Sequence, residues 1–406
     1  MDVNPIVLSI PIFAILIILE VIIQWVNKRK LYRLNDAITN INCGITQQVS
    51  GIFLKIFAIG VYAFIFEKFA IWQIETNWYT LIILFIATDF AYYWAHRMSH
   101  EINLFWSGHV VHHQSEDYNL SVALRQSSFQ VIWTSFFYFP LAIIGFNTLD
   151  FALMAALTTL YQFWIHTELI GKLGFIEYIF VTPSHHRVHH GRDPKYIDKN
   201  HGGAFIWWDM MFGTYQIEEE RPTYGVTTPV NSWNPVWANF ANFEVMWKEM
   251  KQIPSIIDKT RYVFYKPGWL PKDMGGYRPA PEIDKGTYTK YATSASTKLN
   301  AYVLFQFIAT LGLTTWFLFN QATLDIIPKA GVAMLIFATA VTSGGLFEMK
   351  TWTRWVEKLR LIVVLAVGAY LGFMEISELW VLLVIANYYI ISSIWLKMAI
   401  KSLTNV

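Results

Sequence analysis

Every histidine of this 406-residue chain, eleven in all, lies between His96 and His201. The spacing repeats. His96 and His100 form HxxxH, His109, His112 and His113 form HxxHH, and His186, His189 and His190 form HxxHH again. On a helix, residues three and four apart share a face. Each motif can therefore direct two or three imidazoles at one point. A fold that brings the motifs together has more nitrogen ligands than one metal ion needs, so the pattern reads as a two-metal site.

The rest of the composition says what kind of chain carries that site. It is 54% hydrophobic and only 15% charged, where a soluble domain carries about 25% charge; mean hydropathy is +0.35. Aromatic residues reach 17%, with 18 Trp and 21 Tyr, as expected where many helix ends meet membrane interfaces. A net charge of +2 is too small to suggest nucleic acid as a partner. The one cysteine, Cys43, excludes an intrachain disulfide framework and cysteine-based zinc or iron–sulfur sites. Metal ligation must come from nitrogen and oxygen.

A spanning helix needs about 20 mostly apolar residues. Nine stretches qualify as candidates: 5–26, 49–66, 78–95, 129–146, 149–165, 299–318, 328–346, 361–374 and 379–396. The expected fold is all-α, a polytopic membrane bundle of about nine spans with a histidine-rich di-metal cap. Lys28, Arg29, Lys30 and Arg33 follow the first stretch, Lys350, Arg354, Lys358 and Arg360 follow the seventh, and Lys397 and Lys401 follow the ninth, whereas Glu375 and Glu378 lie between the eighth and ninth. By the positive-inside rule the basic segments are cytoplasmic. Nine spans then put the N-terminus outside, and the C-terminus and all three histidine motifs on the cytoplasmic side. The first apolar run is read as a span, since its positive charges follow it and no small-residue cleavage site is evident. The organisation expected is 1–77, N-terminal spans; 78–217, the histidine unit; 218–298, a polar linker rich in proline; and 299–406, a C-terminal bundle.

His96 and His100 continue directly from the third stretch, with Asp89 two turns earlier on the same face. A carboxylate there can hold the far ring nitrogen of a ligand histidine; the alternative is a buried acid satisfied by a Trp or Tyr. His166 stands alone at the end of the fifth stretch and joins the ligand set. His185 and His201 read as ligand, proton relay or structural residue. Gln126, Ser127, Ser128 and Gln130 read as ordinary polar residues ahead of a span, with contact to a lipid head group as the alternative. Neutral imidazole suits zinc, copper, iron and nickel. A structural zinc would use four ligands and usually cysteine, whereas two irons with open positions suit O2 activation. A transporter would place its ionisable residues near the bilayer midplane, but these histidines collect at span ends.

The pattern HxxxH, HxxHH, a lone His and HxxHH on a multi-span chain resembles the fatty acid hydroxylase / sterol desaturase superfamily of membrane di-iron oxygenases. His96-Arg97-Met98-Ser99-His100-Glu101, Phe163-Trp164-Ile165-His166-Thr167-Glu168 and Thr182-Pro183-Ser184-His185-His186-Arg187-Val188-His189-His190-Gly191-Arg192 look like its alkylglycerol monooxygenase branch. So do Ile197-Asp198-Lys199-Asn200 and Trp208-Asp209-Met210-Met211-Phe212-Gly213-Thr214. The superfamily resemblance covers about 80–217. It implies two irons on His96, His100, His109, His112, His113, His166, His186, His189 and His190, O2 as co-substrate, and a lipid substrate drawn from the bilayer. The branch implies an external reductant, tetrahydrobiopterin, with Glu101 as a candidate pterin contact and ether-lipid cleavage as the reaction. The alternative within the superfamily is a sterol or fatty-acyl hydroxylase or desaturase fed by an electron carrier. A homodimer is compatible with either.

Overall fold

The structure is a computed structural model that describes residues 8–373 and 378–400. The first residues of the expected span 5–26, the last of 361–374, Glu375 and Lys401 lie outside the described residues. Among the described residues the chain is helical, with no strands and only two isolated bridges, Phe180 to Phe205 and Gly191 to Tyr224. It divides into two compact units, Met1–Val230 with Ala238–Lys290 and Asn231–Trp237 with Tyr291–Val406.

The first unit carries the histidines. Its helices are α1 (Ile10–Val26), α2 (Leu34–Phe69), α3 (Trp78–Glu101), α4 (Asn103–His113), the short α5 (Val131–Thr134) and α6 (Phe139–Ile144), α7 (Thr148–Tyr161), α8 (Pro183–His189), α9 (Trp207–Phe212), α10 (Pro235–Gln252) and α11 (Ile256–Phe264). Asn77 starts α3 with a capping box: its side chain accepts from the Thr80 amide, and Thr80 Oγ1 accepts from the Asn77 amide. This satisfies two of the amides that a helix start leaves without partners. At 24 residues, α3 runs about 36 Å, from an exposed Trp78 to the buried His96 and His100. A core of Tyr62, Leu84, Leu141, Ala142, Phe146 and Met154 joins α2, α3, α6 and α7. The α6–α7 turn passes through Gly145 at φ +120°, where a Cβ would lie 2.0 Å from the Trp72 carbonyl oxygen. Only glycine fits there. On α1 the buried Glu20 accepts from Tyr32, from Thr167 and from the Leu120 amide. A single carboxylate thus ties the first helix to two segments beside the histidine motifs.

The second unit contains α12 (Thr297–Asn320), α13 (Ile326–Phe347), α14 (Thr353–Phe373) and α15 (Leu379–Ile400). Ser296 caps α12, its side chain accepting from the Leu299 amide. Inside this bundle Arg360 and Glu357 form a buried ion pair, joined by Tyr302, Gln306, Tyr388 and Ser392 from α12 and α15. The pair is saturated by hydrogen bonds, as a buried charge must be.

Among the described residues three helices are long and apolar enough to cross a membrane, Thr297–Asn320, Ile326–Phe347 and Leu379–Ala399; a pair bent by 41°, Leu34–Leu54 with Ala58–Phe69, makes a fourth if it counts as one span. The nine stretches read from the sequence exceed that count for physical reasons. The stretch 129–146 breaks into short helices around a 3-10 turn, and 149–165 forms a helix of only 14 residues. That is about 21 Å, short of the roughly 30 Å hydrocarbon core. The stretch 361–374 belongs to a helix that begins at Thr353, so Arg354, Lys358 and Arg360 sit on that helix rather than in a loop. The stretch read as a polar linker rich in proline, 218–298, also holds helices. It contains α10 and α11, and α11 packs at the α3–α4 junction, where Asn103 donates through its amide to the Tyr265 carbonyl and through its side chain to the Tyr262 carbonyl.

Candidate metal centre

One residue, Ile102, separates α3 from α4, so His96 and His100 meet the α4 histidines at once. The α8 motif begins at a helix start set by Pro183 at the first position and Thr182 as the cap. Nine imidazoles converge in two buried groups. His96, His100, His109, His113 and His189 form one, and His112, His166, His186 and His190 form the other; in each, the ligand atoms lie within 4.8 Å of one another. The division differs from the expectation that each motif serves one point. In both HxxHH motifs the i, i+4 pair enters one group and the middle histidine enters the other. His109 and His113 go one way and His112 the other; His186 and His190 go one way and His189 the other. Adjacent side chains on a helix diverge by about 100°, so a paired HH can face two ions side by side.

The ring chemistry tests whether these groups suit a metal. His96, His112, His166 and His189 each point Nδ1 at a backbone carbonyl, of His201, Arg125, Gln162 and Lys199 respectively, at 2.7–2.9 Å. A carbonyl only accepts, so each Nδ1 carries the proton and each neutral ring keeps a bare lone pair on Nε2. Three of those Nε2 atoms face other imidazole nitrogens: His96 to His109 at 3.0 Å, His166 to His186 at 2.9 Å, His190 to His112 at 3.1 Å and His166 to His112 at 3.3 Å. The last contact sets two lone pairs against each other, an arrangement that suits a metal cation as their common partner. Adjacent ligands at metal–nitrogen distances of about 2.1 Å stand roughly 3 Å apart, matching these separations. Burial first, and then neighbouring imidazoles, hold His96, His100, His109 and His113 well below the ordinary histidine range; burial holds His112 down to about 4. The rings are therefore neutral, the form that binds metal.

The groups behind the ligands were only partly visible in the sequence. One loop, 198–201, serves three ligands of the five-histidine group: Asp198 faces His100, the Lys199 carbonyl takes His189 and the His201 carbonyl takes His96. The loop is fixed by Asp209, which accepts from the His201 and Gly202 amides and from Thr214, and by Asn200, whose side chain donates to the His185 and Gln216 carbonyls. Burial pushes the Asp209 carboxyl up to about 6. Arg125 spans from the Val111 carbonyl to Asn40 and Gln114, while its own carbonyl holds His112. None of these residues has a spacing signal; Asp198, Asn200 and Asp209 lie in the stretches that carry the family resemblance.

Four further residues singled out from the sequence lie around the two groups, and for Asp89 and His185 the contacts match the structural alternative. Asp89 touches no histidine ring. It accepts from the Ala204 and Phe205 amides and from Trp208 Nε1, steadying the chain just after the ligand-orienting loop. His185 accepts the Thr182 amide through Nδ1 as part of the helix cap, so that nitrogen is engaged in local structure. His201 lies fully buried, its ring centroid 5.0 Å from that of His100, and neither ring nitrogen has a hydrogen-bond partner. It stands beside the five-histidine group and not within it. Glu101 pairs with Arg97 at 2.9 Å and does not line the neighbouring cavity. Ser127 and the Ser128 amide both reach Asn239, and Gln126 lies 3.3 Å from His112 Nδ1.

That cavity, of about 420 Å³, opens against His100, His113, His189 and His190. Its walls mix apolar groups (Val226, Val245 and Met246) with Asp198, Glu249, Lys266 and Arg278. Two of its acids are paired within the wall, Asp198 with Lys266 at 2.7 Å and Glu249 with Arg278 at 2.8 Å. It offers space for a reactant directly on the ligand shell.

Comparison with known proteins agrees with this chemistry. The fatty acid hydroxylase family model matches residues 81–214, the segment that holds every histidine. An alkylglycerol monooxygenase from Homo sapiens is 36% identical over 362 residues, covering 87% of this chain and 80% of that protein. One from Xenopus tropicalis is 35% identical, covering 88% and 80%. An ornithine lipid hydroxylase from Rhizobium tropici is 26% identical over 141 residues, 34% of this chain and 42% of that protein. No solved structure matches the chain. With the histidine clusters built on the matched segment and similarity extending over most of its length, the chain belongs to the fatty acid hydroxylase family.

Proposed function

We propose that the protein is a membrane di-iron monooxygenase that cleaves ether lipids, with alkylglycerol as substrate and tetrahydrobiopterin as reductant. The observation that carries this reading is the convergence of nine neutral imidazoles in two buried groups, in a chain similar to alkylglycerol monooxygenases over most of its length. When bound, two irons supply O2 activation. One oxygen atom enters the C–H bond next to the ether oxygen and the other leaves as water. The tetrahydropterin gives two electrons and two protons and becomes a dihydropterin. The resulting hemiacetal breaks to a fatty aldehyde and a free alcohol.

The chain's own residues do the rest. Carbonyls of Arg125, Gln162, Lys199 and His201 hold four ligand rings in the tautomer that offers Nε2. The cavity beside His100 and His113 takes the polar end of the reactants. Every ligand is buried, which limits water at the reacting atoms. Lys28, Arg29 and Lys30, just after α1, support a cytoplasmic histidine face, where reductant and ferrous iron are available, with the N-terminus outside.

The test is turnover in detergent or nanodiscs with alkylglycerol, O2 and tetrahydrobiopterin, following fatty aldehyde. Aldehyde from iron-loaded protein, and none after chelation, supports the reading. The similarity to an ornithine lipid hydroxylase favours a second reading, hydroxylation of another lipid with a different donor. Turnover with that lipid or a protein electron carrier, and none with alkylglycerol and the pterin, would replace the first reading with the second.

A further inference from the structure

His100 differs from the ligands backed by backbone carbonyls. Its Nδ1 faces a carboxylate, Asp198 Oδ1 at 3.4 Å, and the other oxygen, Asp198 Oδ2, accepts from Lys266 Nζ at 2.7 Å. Among the described residues, no other member of the two histidine groups has an ion-pair partner. Asp198 is mostly buried, while Lys266 is half exposed on the cavity wall. The backbone at Asp198 is left-handed, φ +56°, a conformation that aspartate and asparagine tolerate better than most residues. The loop therefore presents this carboxylate at a defined place, and Lys266 pairs with its outer oxygen.

A carboxylate behind a ligand imidazole fixes its tautomer, orients the ring and raises its basicity. That help falls on the group that already has five rings and leaves the four-histidine group with none. We infer that Asp198, held by Lys266, is a positioning residue that makes the five-histidine position the tighter of the two metal positions. The two ions then load in order, and the cavity wall is coupled to the first one through Lys266. This inference rests on reading the two groups as metal ligands.

The experiment uses full-length protein in detergent, stripped of metal and titrated with Co²⁺ against a competing chelator, with the visible absorption of bound Co²⁺ as readout. Wild type takes up two ions in two resolved steps. Asp198→Asn, which keeps the left-handed backbone, weakens the tighter step about 10–100-fold and leaves the weaker step in place, so the two merge. Lys266→Met shifts the tighter step in the same direction by less. It touches no loop backbone, so it carries the test if Asp198→Asn does not fold. Two-ion uptake with the tighter step unchanged in both variants would overturn the inference alone. No uptake by wild type would overturn the metal reading, and the inference with it.

Discussion

Arg187 is the fully buried centre of a bidentate ion pair, with Nε and Nη2 on Glu218 at 2.8 and 2.6 Å, and its Nη1 donates to the carbonyls of Thr167 and Ile170. It sits on α8 between His186 and His189 and grips the segment just after His166, so it fastens together the elements that supply three of the four ligands of the smaller group. Replacing Glu218 by Gln keeps the shape and removes the charge. Breaking a buried pair by removing one partner costs about 3–5 kcal/mol. The lower end applies here, because the Gln oxygen still accepts one bond and the two carbonyls remain, so about 3 kcal/mol is expected. In a unit of roughly 280 residues, with an unfolding entropy of about 2.1 cal/mol/K per residue, that corresponds to roughly 5 °C in apparent melting temperature. The assay is a thermal ramp of iron-loaded protein in detergent, followed by metal analysis of what stays folded. Glu218→Gln should lower the midpoint by that amount and lose iron selectively from the four-histidine group. The double variant Arg187→Met, Glu218→Leu should be less damaged than the sum of its single changes. A Glu218→Gln protein that melts and holds metal like wild type would refute the reasoning.

Other outcomes follow from the same structure. His112→Ala removes one of four ligands of the smaller group and should abolish aldehyde formation, with bound iron falling to about one per chain by elemental analysis. Lowering the pH should destabilise the metal-free protein: burial depresses the folded-state values, His112 to about 4, while the unfolded chain protonates near 6.5. The stability contributed by these rings is therefore intact above about 6.5 and lost as pH falls toward 4; denaturation midpoints at pH 7.5 and 5 check it. Gly203→Ala would put a Cβ 2.5 Å from Asp89 Oδ1, against the carboxylate that holds the Ala204 and Phe205 amides. A cost of about 1–3 kcal/mol and weaker binding at the five-histidine group are expected in the Co²⁺ titration.

The histidine motifs were legible because helical spacing alone puts i and i+4 on one face, and the structure keeps those pairs: His96 with His100, His109 with His113, and His186 with His190. The partition between two groups was not, since whether His112 and His189 join their own motif or its neighbour depends on how α4 and α8 face each other. Asp89 shows the same limit. Its spacing to His96 is that of a shared face, yet its carboxylate is taken by amides from 115 residues later in the chain. The membrane count was blurred by a different ambiguity: a buried core helix and a spanning helix have the same composition, and only its length of 14 residues sets α7 apart. In 218–298 the prolines masked α10 and α11, whose inner faces supply Asn242, Met246, Glu249 and Tyr262 to the cavity wall.

X-ray absorption at the iron edge of the loaded protein addresses the central claim most directly. Two irons per chain, each in a shell dominated by imidazole nitrogen at about 2.1 Å, are predicted, with the nitrogen count falling when His100 or His166 is replaced. A shell of mainly water and carboxylate oxygen, unchanged by those substitutions, would contradict it.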